Sequence, residues 1–262
     1  TLLDEAALGR LGAAGLQVRL LVSLDGLPGV HDRSRGPGVE ERALGVLRRA
    51  PALGVDAAPA SILTTELLEY GIGRWPAWLG AALGRAAGLV LWPLFLGSGV
   101  PAAGETVGRP LGARGQEEAA RQVALLLRAG ADVTIVDGPT INPLLRRLGV
   151  ESGKLWQCNA GRGRLCVQAD GTLSPCHPCR LPLGRLEPGR TGGFIARALG
   201  RPEARRLAAR EHDGCAGCED RDVCGGCQAA VLTRGAPLFG TDELCWKRTA
   251  GDRPAEPQPG KE

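Results

Sequence analysis

The chain contains nine cysteines, the residues most clearly able to do chemistry, and all of them lie between Cys158 and Cys245. Twelve residues separate Cys158 from Gly171, and four more separate Gly171 from Cys176. Two C-x2-C pairs, five residues apart, and a final single cysteine follow: Cys215, Cys218, Cys224, Cys227 and Cys245. Such pairs place two thiolates on one metal ion or on adjacent corners of an iron–sulfur cluster. No secretory signal is visible, and the count is odd, so the pattern favours metal over disulfides.

The metal itself has two interpretations. The segment from Cys215 to Cys227 alone is typical of a structural zinc site. Nine cysteines in a longer register favour iron–sulfur clusters instead.

Local elements must bring these thiols together. Asp170-Gly171 predicts a β-hairpin turn between Leu165–Gln168 and Thr172–Ser174, which would fold Cys176 back toward Cys158. A helix is predicted over Asp222–Leu232, with Cys224 and Cys227 in its first turn, near the positive end of the helix dipole. Gly225-Gly226 between these two cysteines allows unusual backbone angles. A further helix is expected over Gly193–Arg210.

The cysteine-free part of the chain alternates helices and strands. Apolar periodicity predicts the following elements: helices Leu3–Leu16, Glu40–Ala52 and Gln116–Ala129, and strands Gln17–Leu24, Val55–Leu63, Gly88–Phe95 and Ala131–Val136. Alternation of this kind indicates parallel βα units, although four strands are too few for an eight-stranded barrel. Gly- and Pro-rich residues 71–80 and 97–115 predict loops.

Polar residues follow three of these strands, at the edge where parallel α/β folds bind ligands. They are Ser23–Gly26, Thr64–Glu66 and Asp137–Thr140. Taken alone, Asp25-Gly26 predicts no more than a turn.

The run Ser23-Leu24-Asp25-Gly26, followed by His31-Asp32, Arg33, Arg35 and Gly36, resembles the fourth-strand motif of radical SAM enzymes in the peptide-modifying and sulfatase-maturing group. The cysteine pattern resembles the SPASM domain of the same enzymes, except that two residues, not three, separate Cys224 from Cys227. The resemblance implies an α/β fold: a partial radical-SAM-type (β/α) barrel, residues 1–150, and a SPASM domain with a β-hairpin and short helices, residues 151–250. Residues 251–262 are expected to be a disordered tail.

The resemblance also implies cofactors. Ser23 and Asp25 would lie near the ribose and amino-acid part of S-adenosylmethionine. One auxiliary [4Fe–4S] cluster would be held by Cys215, Cys218, Cys224 and Cys245. Another would be held by Cys158, Cys176, Cys227 and a fourth cysteine, for which Cys166 is preferred to Cys179, or by three ligands with one iron open.

The family's C-x3-C-x2-C loop for the cleaving cluster is absent, and the chain contains no methionine. Both facts favour a fragment that starts mid-barrel, with S-adenosylmethionine cleavage and a third [4Fe–4S] cluster belonging to the full-length protein. This chain alone is then expected to be inactive. Two alternatives stay open: a non-enzymatic iron–sulfur module for electron transfer or binding, and a structural zinc module.

We expect different roles for the three histidines. His177, next to Cys176, occupies a position where sulfatase-maturing enzymes carry an aspartate that is proposed as general base, so it is the candidate catalytic residue. His31 is expected to serve the turn after the strand, and His212 to be exposed.

Composition limits the partners. The net charge is +4, but Lys154, Lys247 and Lys261 are the only lysines and the arginines are interspersed with acids, which argues against nucleic-acid binding. No apolar run is long enough for a membrane span. The expected setting is the cytoplasm, with a peptide or protein substrate and an electron donor such as flavodoxin or ferredoxin.

Overall fold

The computed structural model describes residues 4–15, 17, 19–26, 28–93, 111–136, 138–151, 155, 157–186, 193–233, 235–242 and 244–247. The chain divides into two compact units after residue 156, where the sequence predicted a boundary after residue 150. We call them the sheet unit and the cysteine unit. The predicted tail lies outside the described residues. In the part of the chain that is described, no helix combines the length and apolar character of a membrane span.

A four-stranded parallel sheet forms the centre of the sheet unit, with its strands adjacent in chain order. The strands are β1 (Arg19–Ser23), β2 (Asp56–Leu63), β3 (Leu89–Pro93) and β4 (Val133–Ile135). The helices are α1 (Glu5–Ala13), α2 (Val30–Arg35), α3 (Val39–Arg49), α4 (Thr65–Tyr70), α5 (Arg74–Leu83), α6 (Ala113–Arg128) and α7 (Asn142–Arg147), with a short 3-10 helix at Ala50–Leu53. Parallel strands need such crossovers, so the predicted α/β class is confirmed.

Helix α3 shows why these segments fold as they do. It carries acids in its first turn and Arg48 and Arg49 in its last, which complements the helix dipole. Its buried side chains recur at helical spacing: Ala43, Leu44, Val46 and Leu47.

The loop predicted over residues 71–80 is wrong, because most of that stretch belongs to α5. Gly73, Pro76 and Gly80 suggested a break, but Trp75, Leu79 and Leu83 share one buried face of the helix. Burial of these side chains outweighs the weak helix propensity of glycine. The short helices α2, α4 and α7 were not predicted, and most of the loop predicted over 97–115 lies outside the described residues.

A small antiparallel sheet, β5 (Cys166–Val167), β6 (Thr172–Ser174) and β7 (Gly184–Arg185), opens the cysteine unit. The predicted hairpin turn is present, with the Gln168 amide donating to the Thr172 carbonyl at 2.8 Å and Gly171 at a φ of +82°. Three helices follow: α8 (Phe194–Leu199), α9 (Pro202–Ala209) and α10 (Gln228–Thr233).

Two helix predictions in the cysteine unit need correction. The single helix expected over Gly193–Arg210 is two helices, because Pro202 has no amide hydrogen to continue the first. The helix expected over Asp222–Leu232 begins only at Gln228. Gly225 and Gly226 adopt φ values of +79° and +68°, which no α-helix contains.

Candidate functional site

Two hydrogen bonds from β2 and α5 fix the carboxyl end of β1. The Ser61 hydroxyl donates to the Leu24 carbonyl at 2.7 Å, and the indole Nε1 of the fully buried Trp75 donates to the Ser61 hydroxyl at 2.7 Å. The chain that leads into Asp25 is therefore tied to β2 and α5.

Asp25 is 5% exposed and lies between two basic side chains. Arg35 Nε donates to Asp25 Oδ2 at 2.6 Å, and His31 Nδ1 lies 3.5 Å from the same oxygen. The Asp25 amide also donates to His31 Nδ1 at 3.0 Å. Burial alone would raise the pKa of Asp25, but the bonds with His31 and Arg35 hold it below its ordinary value. The carboxylate is thus charged and held in one orientation.

His31 and Asp32 of the sequence motif make different contacts. His31 is 1% exposed and faces Asp25. Asp32 instead accepts the amides of Gly38 and Glu40 at 2.8 and 2.7 Å, at the start of α3, and these bonds lower its pKa. The sequence placed His31 in the turn but gave no sign of its contact with Asp25.

Two polar atoms at this strand end have no hydrogen-bond partner among the described residues: Asp25 Oδ1 and His31 Nε2. Ser23 is half-buried at the last position of β1. Ser23, His31 and Arg35 also line one end of a cavity of about 400 Å³ along β1. Buried polar atoms without partners are uncommon and mark this end of the sheet as a candidate ligand site.

All nine cysteines are thiols, and the structure gathers four of them around a small apolar centre that includes Ala160 and Ala229. This first thiol group consists of Cys158, Cys176, Cys179 and Cys227. A hydrogen bond between the Cys176 and Cys179 side chains lowers the pKa of Cys179 despite its burial. Burial raises the pKa of the Cys227 thiol well above its ordinary value. A bound metal would have to displace the proton of the Cys227 thiol, because cysteine binds metals as the thiolate.

Cys166 lies apart from the contacts that define the first thiol group in the described chain. It stands on β5 opposite Ser174, and the Gln168 amide lies 3.8 Å from its sulfur. The geometry therefore favours Cys179 over Cys166 as the fourth member, against the preference drawn from the sequence.

A second thiol group is joined by electrostatic interactions, and it consists of Cys215, Cys218, Cys224 and Cys245. Burial, helped by the charges of neighbouring thiols, raises the pKa of Cys215 and raises that of Cys224 to about 12. These are the four cysteines that the family pattern assigned to one cluster.

Asp242, 3% exposed, fixes the chain beside both groups. Its carboxylate accepts the amides of Cys227 and Leu244 at 2.9 Å each, and its carbonyl accepts the amide of Cys245 at 3.0 Å. Asp242 was not among the residues predicted from the sequence. Its position three residues before Cys245 is the only sequence feature that could have indicated it.

Among the described residues, no three His, Cys, Asp or Glu side chains come close enough together to hold one metal ion.

The remaining histidines differ in their surroundings. His177 is exposed on the turn after Cys176. His212 was expected to be exposed, but it is 6% exposed and stacks on Phe239 with ring centroids 6.0 Å apart. Burial, together with nearby arginines such as Arg206, lowers the pKa of His212 to about 4. Its charged neighbours in sequence, Glu211 and Asp213, suggested the wrong environment.

Comparisons with known proteins give one clear result, which comes from solved structures. Native anSMEcpe with bound AdoMet and the Cp18Cys peptide matches with a TM-score of 0.62 and 15% identity, over 95% of this chain and 70% of that chain. Native anSMEcpe with bound AdoMet matches with a TM-score of 0.61 and 16% identity, over 95% and 69%. That protein is a radical SAM anaerobic sulfatase maturase with a SPASM domain, so the fold implied by the sequence resemblance is confirmed. No family model and no curated protein matches the sequence.

Proposed function

We propose that this chain is part of a radical SAM enzyme of the SPASM group, which modifies a peptide or protein substrate with S-adenosylmethionine as cofactor. The observation that carries the proposal is the sorting of eight cysteines into two groups of four. Thiolates alone, four to a group, are the usual donor set of a [4Fe–4S] cluster, so the residues present fit that cofactor.

The first cluster would be held by Cys158, Cys176, Cys179 and Cys227, and the second by Cys215, Cys218, Cys224 and Cys245. When bound, such clusters supply one-electron redox chemistry near the substrate. The chain's own part is to hold the thiols and exclude water: Asp242 fixes the backbone of Cys227 and Cys245, and the apolar centre around Ala160 and Ala229 is buried. An electron donor such as flavodoxin or ferredoxin belongs to the same proposal.

The strand end of the sheet unit would bind S-adenosylmethionine. Asp25 Oδ1 is a charged acceptor held in place by Arg35, and it suits ribose hydroxyls or the amino group of the cofactor's methionine part. Ser23 adds a hydroxyl beside it. His31 Nε2 offers a further polar contact from the same end of the cavity.

Peptide recognition is supported by analogy with the matched structure, which holds a peptide together with AdoMet. His177 remains our candidate general base, since it is exposed next to Cys176 of the first thiol group and imidazole can accept a proton.

Iron and acid-labile sulfide, counted per chain in anaerobically purified full-length protein, test the cluster assignment. Cys179→Ser should lower both counts by about four, the content of one cluster. Cys166→Ser is the matched control and should leave both counts unchanged. Zinc without sulfide would overturn the proposal in favour of a structural zinc module, and equal losses in both variants would overturn the choice of Cys179.

Binding of S-adenosylmethionine, measured by isothermal titration calorimetry, tests the strand end. Asp25→Asn should weaken binding by about tenfold or more, as expected for loss of a hydrogen bond to a charged group. Asp56→Asn makes the same change at the opposite end of the sheet, where Asp56 pairs with Arg19 at the surface, and should have no effect. Iron–sulfur clusters without any binding of S-adenosylmethionine by the full-length protein would support the non-enzymatic alternative.

A further inference from the structure

Arg210 occupies a position that is costly for an arginine. It ends α9 in the left-handed region, at φ +55° and ψ +41°, and it is only 7% exposed. Left-handed backbone is uncommon outside glycine, and buried arginines normally require partners. The surroundings must therefore favour this residue strongly.

The guanidinium connects chain segments next to both thiol groups. Its Nη2 donates to Gln157 Oε1 at 2.7 Å, and Gln157 directly precedes Cys158. Its Nη1 donates to the carbonyls of Arg221 and Asp222, the second of which lies two residues before Cys224. One cation thus joins the side chain of the residue before Cys158, in the first group, to backbone carbonyls just before Cys224, in the second.

The stem of Arg210 packs against the loop between Cys224 and Cys227. A Cβ atom added to Gly225 would lie 2.6 Å from Cδ of Arg210 and 2.9 Å from its Cγ. Glycine at position 225 therefore leaves the space that the arginine side chain fills.

The guanidinium of Arg210 lies within electrostatic range of one thiol of each group, Cys158 and Cys224. Burial and the neighbouring Arg162 lower the pKa of Arg210, whereas Cys158, Cys224 and Asp222 raise it. Its Nε–H is buried and has no hydrogen-bond partner among the described residues. A buried donor on a cation is costly unless an acceptor or anion lies near it.

We propose that Arg210 is a positioning residue that raises the reduction potentials of both auxiliary clusters, by holding one positive charge beside Cys158 and Cys224. The inference rests on the proposed function, since it concerns the clusters that the two thiol groups would hold. Reduction adds a negative charge to a cluster, and a nearby cation in a poorly screened interior stabilises the reduced form.

Redox titration of the full-length protein, followed by electron paramagnetic resonance, tests this role. Arg210→Gln removes the charge and should make reduction of both clusters about tenfold less favourable, which is about 59 mV for a one-electron couple. Arg210→Lys keeps the charge and should give a smaller shift of the same sign. Arg205→Gln removes a charge from the exposed face of α9 and should leave both potentials unchanged.

Gln157→Glu provides a second test if Arg210→Gln fails to fold or to hold clusters. The substitution keeps the shape and the acceptor for Arg210 and adds a negative charge that offsets the guanidinium, so the potential of the cluster at Cys158 should again fall. Unchanged potentials in a loaded Arg210→Gln or Gln157→Glu variant would overturn the role of Arg210 alone. Wild-type protein without iron and sulfide would instead overturn the proposed function and this inference together.

Discussion

The two units of this chain differ in the side chains that they bury. In the described chain, the twelve largest fully buried side chains all belong to the sheet unit, among them Trp75, Leu47 and Leu91. The cysteine unit also buries leucines such as Leu173 and Leu183, but the buried residues packed with its first thiol group are as small as Ala160 and Ala229. A small core rarely supports a fold alone, and metal binding commonly supplies the missing free energy. If the thiol groups hold clusters as proposed, cysteine spacing specifies the fold of one unit as apolar periodicity specifies the fold of the other.

If the cysteine unit holds clusters as proposed, removal of iron should unfold that unit and leave the sheet unit folded. Chelation under reducing conditions should abolish hydrogen-exchange protection over residues 157–247 and leave strands β1–β4 protected. The reason is that binding free energy of a structural metal site is folding free energy. Hydrogen–deuterium exchange with mass spectrometry makes the measurement. Equal protection of both units after chelation would mean that the cysteine unit is stable without metal.

Trp75→Ala should destabilise the sheet unit and leave the iron content of the cysteine unit unchanged. Loss of a fully buried indole costs about 3–5 kcal/mol of the free energy of unfolding, and here it also removes the donor to Ser61. Chemical denaturation monitored on the sheet unit measures the loss. Iron content should stay at the wild-type value, and Trp75→Phe should recover most of the stability. Loss of iron from folded Trp75→Ala protein would show that the two units depend on each other.

Gly225→Ala should destabilise the cysteine unit by more than 1 kcal/mol, because a side chain is incompatible with φ +79° and would also meet Arg210. Gly217→Ala is the matched control. Gly217 has a φ of +73°, but an added Cβ would meet no atom within 4 Å, so only the backbone cost applies. Thermal unfolding of the loaded proteins compares the two. Equal losses would remove the steric part of the argument for Arg210.

Asp25→Asn should produce the smallest effect, and a pH-dependent one. The pKa of Asp25 is lower in the folded chain than its ordinary value of 3.8, so its charge stabilises the fold above that pH. This contribution is lost as the pH falls below 3.8 through the folded pKa. Wild type and Asp25→Asn should therefore differ in unfolding free energy at pH 7 and converge in strong acid. A difference that stays constant with pH would contradict the ion pair with Arg35.

Periodicity in the sequence was sufficient to predict β1–β4, α3 and α6, because each depends on which face of a short segment is apolar. It failed at α5, where Gly73 and Pro76 suggested a break that burial of Trp75 overrides. It also failed at Gln228, since Gly225-Gly226 allowed unusual backbone angles but the sequence does not show that both take positive φ values and delay the helix.

For the site, the sequence supplied residue types and spacing. It named Ser23, Asp25 and the four cysteines of the second group, and their binding roles stay predictions. The choice between Cys166 and Cys179 depends on which thiol Cys227 approaches from about fifty residues away, and spacing does not contain that information. The roles of His31, His212 and Arg210 depend on tertiary contacts in the same way.

Mössbauer spectroscopy of the protein loaded with iron-57 shows whether the two thiol groups hold clusters. We expect [4Fe–4S] signals from both groups, with one cluster lost in Cys224→Ser, another lost in Cys179→Ser, and neither lost in Cys166→Ser. Mononuclear iron alone, or a spectrum unchanged by Cys224→Ser and Cys179→Ser, would contradict this prediction.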